Sequence, residues 1–175
     1  HPTVGFRCTI DGRSTLHLPK VETIEDRLYD VLGGQSSSLL PLQQPEDDAS
    51  VPGDETWSGY ISTPDISRGK GDEIHILVNG RPVASTPFHQ AIRRGYRTRL
   101  MQGRHPVTVL HLEVPANEVD VNVHPTKREV RLRHSWRVLE RLERAIAHTL
   151  ASSPTQPDSS GELQGLEGLS SQSIE

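Results

Sequence analysis

Apolar positions recur along the chain in two rhythms, and the switch between them marks out the elements. Over residues 4–10 and 14–18 apolar and polar positions roughly alternate, as on strands, and Asp11-Gly12 between them favours the positive φ of a tight turn. The chain is therefore expected to open on a β-hairpin. Ile24, Leu28, Val31 and Leu32 then follow helical spacing behind Thr23, whose hydroxyl suits an N-cap, and Gly33-Gly34 supplies the stop. Residues 37–42, 56–62 and 73–78 read as strands, and Val78-Asn79-Gly80-Arg81-Pro82-Val83 as a second tight turn.

Further along, Ser85 or Thr86 can cap a helix with Pro87 in its first turn, where a missing N–H costs nothing. Phe88, Ile92 and Tyr96 form one apolar stripe on this helix, which is expected to run to about Leu100. Residues 106–114 alternate as a strand, and 119–123 and 129–132 as shorter strands either side of a loop. Ser135 is expected to cap a last helix that turns Trp136, Leu139, Leu142, Ala145, Ile146 and Leu150 inward. Strands interleaved with three helices predict an α+β domain of two layers, a sheet with helices on one face.

Composition changes that picture at the edges. Hydrophobic residues are only 33% of the 175, so part of the chain is expected to lie outside any core. After Leu150 the sequence turns rich in Ser, Gly, Pro and Gln, the composition of a disordered linker, which divides the chain into a domain at 1–150 and a linker start at 151–175. Residues 43–54 combine two prolines with four acids and read as an exposed loop. Apolar runs are too short to span a bilayer, so no membrane association and an intracellular location are expected. The single cysteine, Cys8, excludes a disulfide framework within the chain and reads as a small buried hydrophobe. A start at His1-Pro2 leads us to expect a piece of a longer protein.

The net charge of −4 averages over unlike parts. Residues 1–79 hold 6 basic and 13 acidic side chains, residues 80–144 hold 13 and 6, and residues 145–175 hold 0 and 4. A cationic middle fits a polyanionic partner, and it equally fits a solvated face that balances the acidic first part.

Self-contained catalytic patterns are missing from the sequence: there is no glycine-rich phosphate loop, Gly-x-Ser-x-Gly elbow or His-Glu-x-x-His helix. The histidines, including His105, His111 and His124, are scattered without ligand spacing, and no metal site is expected. The helix after Ser85 carries more information. Opposite its apolar stripe stand Arg93, Arg94, Arg97 and Arg99 with Gln90, and no acid on that helix interrupts them. Arg93 and Arg97 lie one turn apart, about 5–6 Å between Cβ atoms, so they can engage one phosphate backbone. Without interleaved aromatic residues, such binding should ignore base sequence. In the loop at 124–128, Lys127 and Arg128 project from between two strands, and a lysine there could reach a phosphate held by another domain.

Four blocks extend this reading. DVNVHPTKREVRL at 120–132, VNGRPV at 78–83, HQAIRRGY at 89–96 and SGYISTPDISRG at 58–69 resemble, in order and spacing, the MutL family of DNA mismatch repair proteins over roughly 3–150. The resemblance implies the second, or transducer, domain of an N-terminal GHKL (gyrase-type) ATPase region, with a left-handed βαβ crossover. It implies that Lys127 reaches the γ-phosphate of ATP bound, with Mg, mainly by the preceding domain. By the same resemblance Asn122, His124 and Pro125 would shape that loop and Arg93 would contact double-stranded DNA from a positively charged groove, on the same basic face to which the residue pattern assigns Arg94 and Arg97. In the intact protein it further implies dimerisation and a MutS-type mismatch recognition partner, in the nucleoid or cytoplasm of a prokaryote or the nucleus of a eukaryote. The family's nucleotide-pocket motifs do not occur in this sequence, so the chain alone is not expected to hydrolyse ATP. A stand-alone DNA-binding or protein-interaction module remains the alternative. Leu77 and Leu132 stand where the family often has phenylalanine.

Overall fold

The computed structural model describes residues 1–45, 55–120 and 130–153. Strands β1 (Phe6–Ile10) and β2 (Arg13–Leu18) form the expected hairpin, with Asp11 at φ 50° and Gly12 at φ 76° making the turn. Helix α1 (Ile24–Leu32) begins at Thr23, whose Oγ1 accepts a hydrogen bond from Asp26 N at 3.1 Å. A buried arginine ties these pieces together. Arg27 donates through Nη2 to the carbonyl oxygens of Pro2, Val4 and Pro19 at 2.9, 2.7 and 2.7 Å, so one guanidinium holds α1 against both ends of the hairpin.

The main sheet has five strands in the order β3 (Leu39–Pro41), β4 (Thr56–Ser62), β9 (Thr108–Glu113), β6 (Ile74–Val78) and β7 (Arg81–Pro82). Two short strands, β5 (Ser67–Arg68) and β8 (His105–Pro106), pair beside it. Strands β6 and β9 are parallel neighbours, Ile76 facing Leu110, and the chain between them passes through helix α2 (Thr86–Tyr96). The β6–β7 turn is formed by Asn79 at φ 48° and Gly80 at φ 75°. The Asn79 side chain accepts from Val114 N at 2.9 Å and donates to its oxygen at 3.0 Å, which extends the end of β9.

Alternation sends Trp57 and Ile61 of β4, Ile74, Ile76 and Val78 of β6, and Leu110 and Leu112 of β9 to one face, where all are buried. Helices α2 and α3 (Ser135–Ser152) cover that face. Phe88, Ile92 and Tyr96 meet Leu142, Ile146 and Leu150 over the sheet, and Trp57 packs edge-on to Phe88 with ring centres 5.8 Å apart. Each such side chain contributes about 1.5–3 kcal/mol by leaving water. The opposite face carries His75, Leu77, Val109 and His111, which with α1 enclose a cavity of about 400 Å³. Strands β10 (Val119–Asp120) and β11 (Arg131–Leu132) form a separate antiparallel pair beside the core, into which Leu132 inserts.

Several expectations need correction. Residues 33–38 are a 3₁₀ turn, so the third strand is confined to Leu39–Pro41; two glycines and three serines favour turning over extension. Helix α2 stops at Tyr96, short of Leu100, and Arg97–Arg99 continue as a 3₁₀ turn. The N-cap of α3 is His134, with Ser135 already inside the helix. Trp136 faces solvent at 67% exposure, because its position falls off the stripe of Val138, Leu142, Ala145 and Ile146 that meets the sheet. Cys8 is exposed, because among the described residues nothing covers the strands of the hairpin, whose residues are exposed along nearly their whole length. The acidic part of the predicted loop at 43–54, the predicted loop at 124–128 with the adjoining strand residues 121–123 and 129, and the chain from 154 onward lie outside the described residues. Before the first of these, Gln43 N donates to Thr149 Oγ1 at 2.9 Å, so residue 43 is already anchored to α3.

Candidate functional site

The cationic face predicted for the second half is built where α2 ends. Its floor is held by Tyr96, fully buried, whose hydroxyl donates to Ser62 O at 2.6 Å and fixes the last turn of α2 to β4. Burial pushes the Tyr96 phenol well above its ordinary pKa, so it remains a neutral donor. Gly95 lets α3 approach. A Cβ at Gly95 would fall 2.7 Å from Cβ of Ile146 and 3.0 Å from the backbone oxygen of Glu143, so no other residue fits without displacement.

With the apolar stripe fixed inward, the other side of α2 faces out. Gln90, Arg93, Arg94, Arg97 and Leu100, together with Glu143 from α3, line an open groove of about 560 Å³. Arg93 and Arg94 occupy the last turn of α2, where partial negative charge on the free carbonyls offsets some of their mutual repulsion. Arg94 donates from Nε to Glu143 Oε2 at 2.8 Å, with Arg94 52% and Glu143 35% exposed. Arg93 and Arg97 make no ion pair among the described residues. His89, one residue before Gln90, has its pKa lowered by partial burial and by the neighbouring His105, so it adds no charge near neutral pH.

Of the residues predicted for the site, the structure brings Arg93, Arg94 and Arg97 to one groove, while Arg99 lies on the 3₁₀ turn beyond it. Asn122 and Lys127 lie outside the described residues. The strands that flank them are paired in register, Val119 with Leu132 and Asp120 with Arg131, so the chain leaves and re-enters this point at adjacent positions. Two features escaped the sequence reading. Glu143 enters the groove from an element remote in sequence, and no local spacing signals it. Arg97 adopts φ 52° and ψ −129°, the conformation that Gly33 takes at the end of α1 with φ 60° and ψ −138°.

A mixed sheet backed by two helices, with a cationic groove at the end of the crossover helix, defines a two-layer α+β domain. The family profile described as "DNA mismatch repair protein, C-terminal domain" matches residues 30–151, and the chain belongs to that family. Curated relatives include the DNA mismatch repair protein MutL of Pelobacter propionicus, 37% identical over 157 residues that make up 89% of this chain and 25% of the relative. The MutL of Geobacter sulfurreducens is 37% identical over 154 residues, 87% of this chain and 24% of the relative. The chain thus spans about a quarter of the length of the relatives it matches. A solved structure described as the N-terminal domain of a DNA repair protein superimposes with a TM-score of 0.65 at 22% identity, over 85% of this chain and 48% of the other, a likeness of fold. No helix among the described residues is long and apolar enough to cross a membrane.

Proposed function

We propose that this chain is the transducer domain of a MutL-type mismatch repair ATPase, and that its α2 groove holds the backbone of double-stranded DNA without regard to sequence. The observation that carries this reading is the pair Arg93 and Arg97, without ion pairs among the described residues and lining one open groove in a member of a mismatch repair family. Guanidinium groups suit bidentate contact with phosphate oxygens, and the groove contributes no aromatic surface on which a base could stack. ATP, with Mg, belongs in this reading to a preceding domain, and Lys127 is the group proposed to meet its terminal phosphate. Its ammonium would neutralise charge on the terminal phosphoryl group, and its contact would report which nucleotide is bound. The intact protein then acts as a dimer with a MutS-type recognition partner, while this chain by itself does not hydrolyse ATP.

Duplex binding measured against salt tests the groove. Full engagement of the three arginines would give a slope of log affinity on log salt near −3, and engagement of Arg93 and Arg97 alone a slope near −2, at about −0.9 per contact. Arg93→Glu should weaken binding on every sequence alike and flatten the slope. A slope near zero in the unaltered chain excludes the DNA reading. If binding to an acidic protein surface survives excess duplex at physiological salt, the protein-interaction module is favoured instead. In the longer protein, Lys127→Ala should depress ATP turnover without loss of folding, and unchanged turnover would remove the nucleotide-sensing role.

A further inference from the structure

The acid that interrupts the arginine face comes from across the groove. Glu143 stands on α3, one turn before Ile146, and the close packing of Ile146 on Gly95 fixes the backbone of both helices at this level. Its carboxylate therefore cannot leave the groove by helix movement. Only rotation of the side chain, which is partly exposed, can release Arg94.

A carboxylate satisfies a guanidinium as a phosphate does, with anionic oxygens accepting from N–H groups. In the free protein the Glu143 oxygen accepting from Arg94 Nε at 2.8 Å fills the role that a backbone phosphate would fill, in the same groove that Arg93 and Arg97 line. Taking the groove to be a phosphate site, as proposed above, we infer that Glu143 is a resident competitor for it. A phosphate either displaces this carboxylate from Arg94 or binds only at Arg93 and Arg97 and suffers repulsion from it. Ion pairs this exposed are weak, so exchange is easy. Glu143 thus lowers the affinity of the groove without closing it, which keeps a sequence-indifferent contact loose enough to be released. Three arginines are present, and two act at full strength.

A bracing role for the same pair, holding α2 to α3, makes the opposite prediction for binding. Duplex of arbitrary sequence is titrated into the 175-residue chain, carrying Glu143→Gln or Glu143→Ala, at several salt concentrations. Both variants should bind roughly three- to tenfold tighter at about 0.1 M salt, with a slope steeper by about one contact. Arg94→Gln should cost less in the unaltered chain than in the Glu143→Gln background, because only there does Arg94 meet phosphate without a carboxylate rival. If both Glu143 variants bind no more tightly while Arg93→Glu abolishes binding, the competitor role is overturned and the groove reading stands. If Arg93→Glu also changes nothing, the groove reading fails and takes this inference with it.

Discussion

A single backbone conformation separates Arg97 from its neighbours. At φ 52° an L side chain crowds its own peptide, and α1 meets the same geometric demand with Gly33. Holding a non-glycine residue there costs about 1–3 kcal/mol. The strain brings a return only if the side chain has work to do, and Arg97 lines the groove beside Arg93. Arg97→Gly should therefore raise thermal stability by about 1 kcal/mol while weakening duplex binding, as a melting curve paired with a titration would reveal. A variant that loses stability would show the side chain to be structural. This position also shows where local sequence signals fail, since turn chemistry would have placed glycine here and arginine gives no warning of the bend. Cys8 and Trp136 were misjudged for a related reason, because residue type alone does not say whether a second layer lies across the strand or helix that carries them.

At the scale of elements, what the sequence made legible was governed by neighbours in the chain. Asp11-Gly12 and Asn79-Gly80 set their hairpin turns through φ preference, Thr23 capped α1, and strand β4 ran over the expected residues, because each depends on groups a few positions away. The close pairing of α2 with α3 does not. It rests on Gly95 meeting Ile146, 51 positions later, and the same approach carries Glu143 into the groove. Gly95→Ala should lower the midpoint of urea unfolding by an amount equivalent to about 1–3 kcal/mol, since the added methyl meets a branched side chain and a backbone oxygen. The same substitution should alter the groove, because it pushes Glu143 outward. Unchanged stability would mean that the two helices part without penalty.

Across the whole molecule, part of the charge segregation is resolved by pairing within the fold. Some of the acidic first part does meet the basic second part internally. Glu55, 3% exposed, accepts from Arg141 Nη1 at 2.9 Å and from Arg137 Nη2 at 3.0 Å, clasping the start of β4 to α3 across the core. Glu55→Gln should destabilise the fold by about 1–3 kcal/mol, because a neutral amide replaces a buried carboxylate that accepts from two guanidinium groups. Burial shields this pair, so the loss measured by denaturant titration should hardly change between about 0.1 and 0.5 M salt. A loss that vanishes at the higher salt would mark the pair as superficial. Among the described residues Arg93 and Arg97 take no part in this internal pairing, and they stand together at the end of α2. Hydrophobic spacing could predict the two-layer architecture, whereas the choice of which cations are neutralised belonged to pairings only the folded chain reveals.

Helix α3, the last described element, forms the far wall of the groove. During synthesis from the N-terminus every arginine of α2 leaves the ribosome before Glu143 or Ile146 is made, so a nascent chain offers its cations on an unsupported helix and without their carboxylate rival. Maturation of the groove coincides with completion of the core, so its cations meet their counter-charge only once α3 is in place.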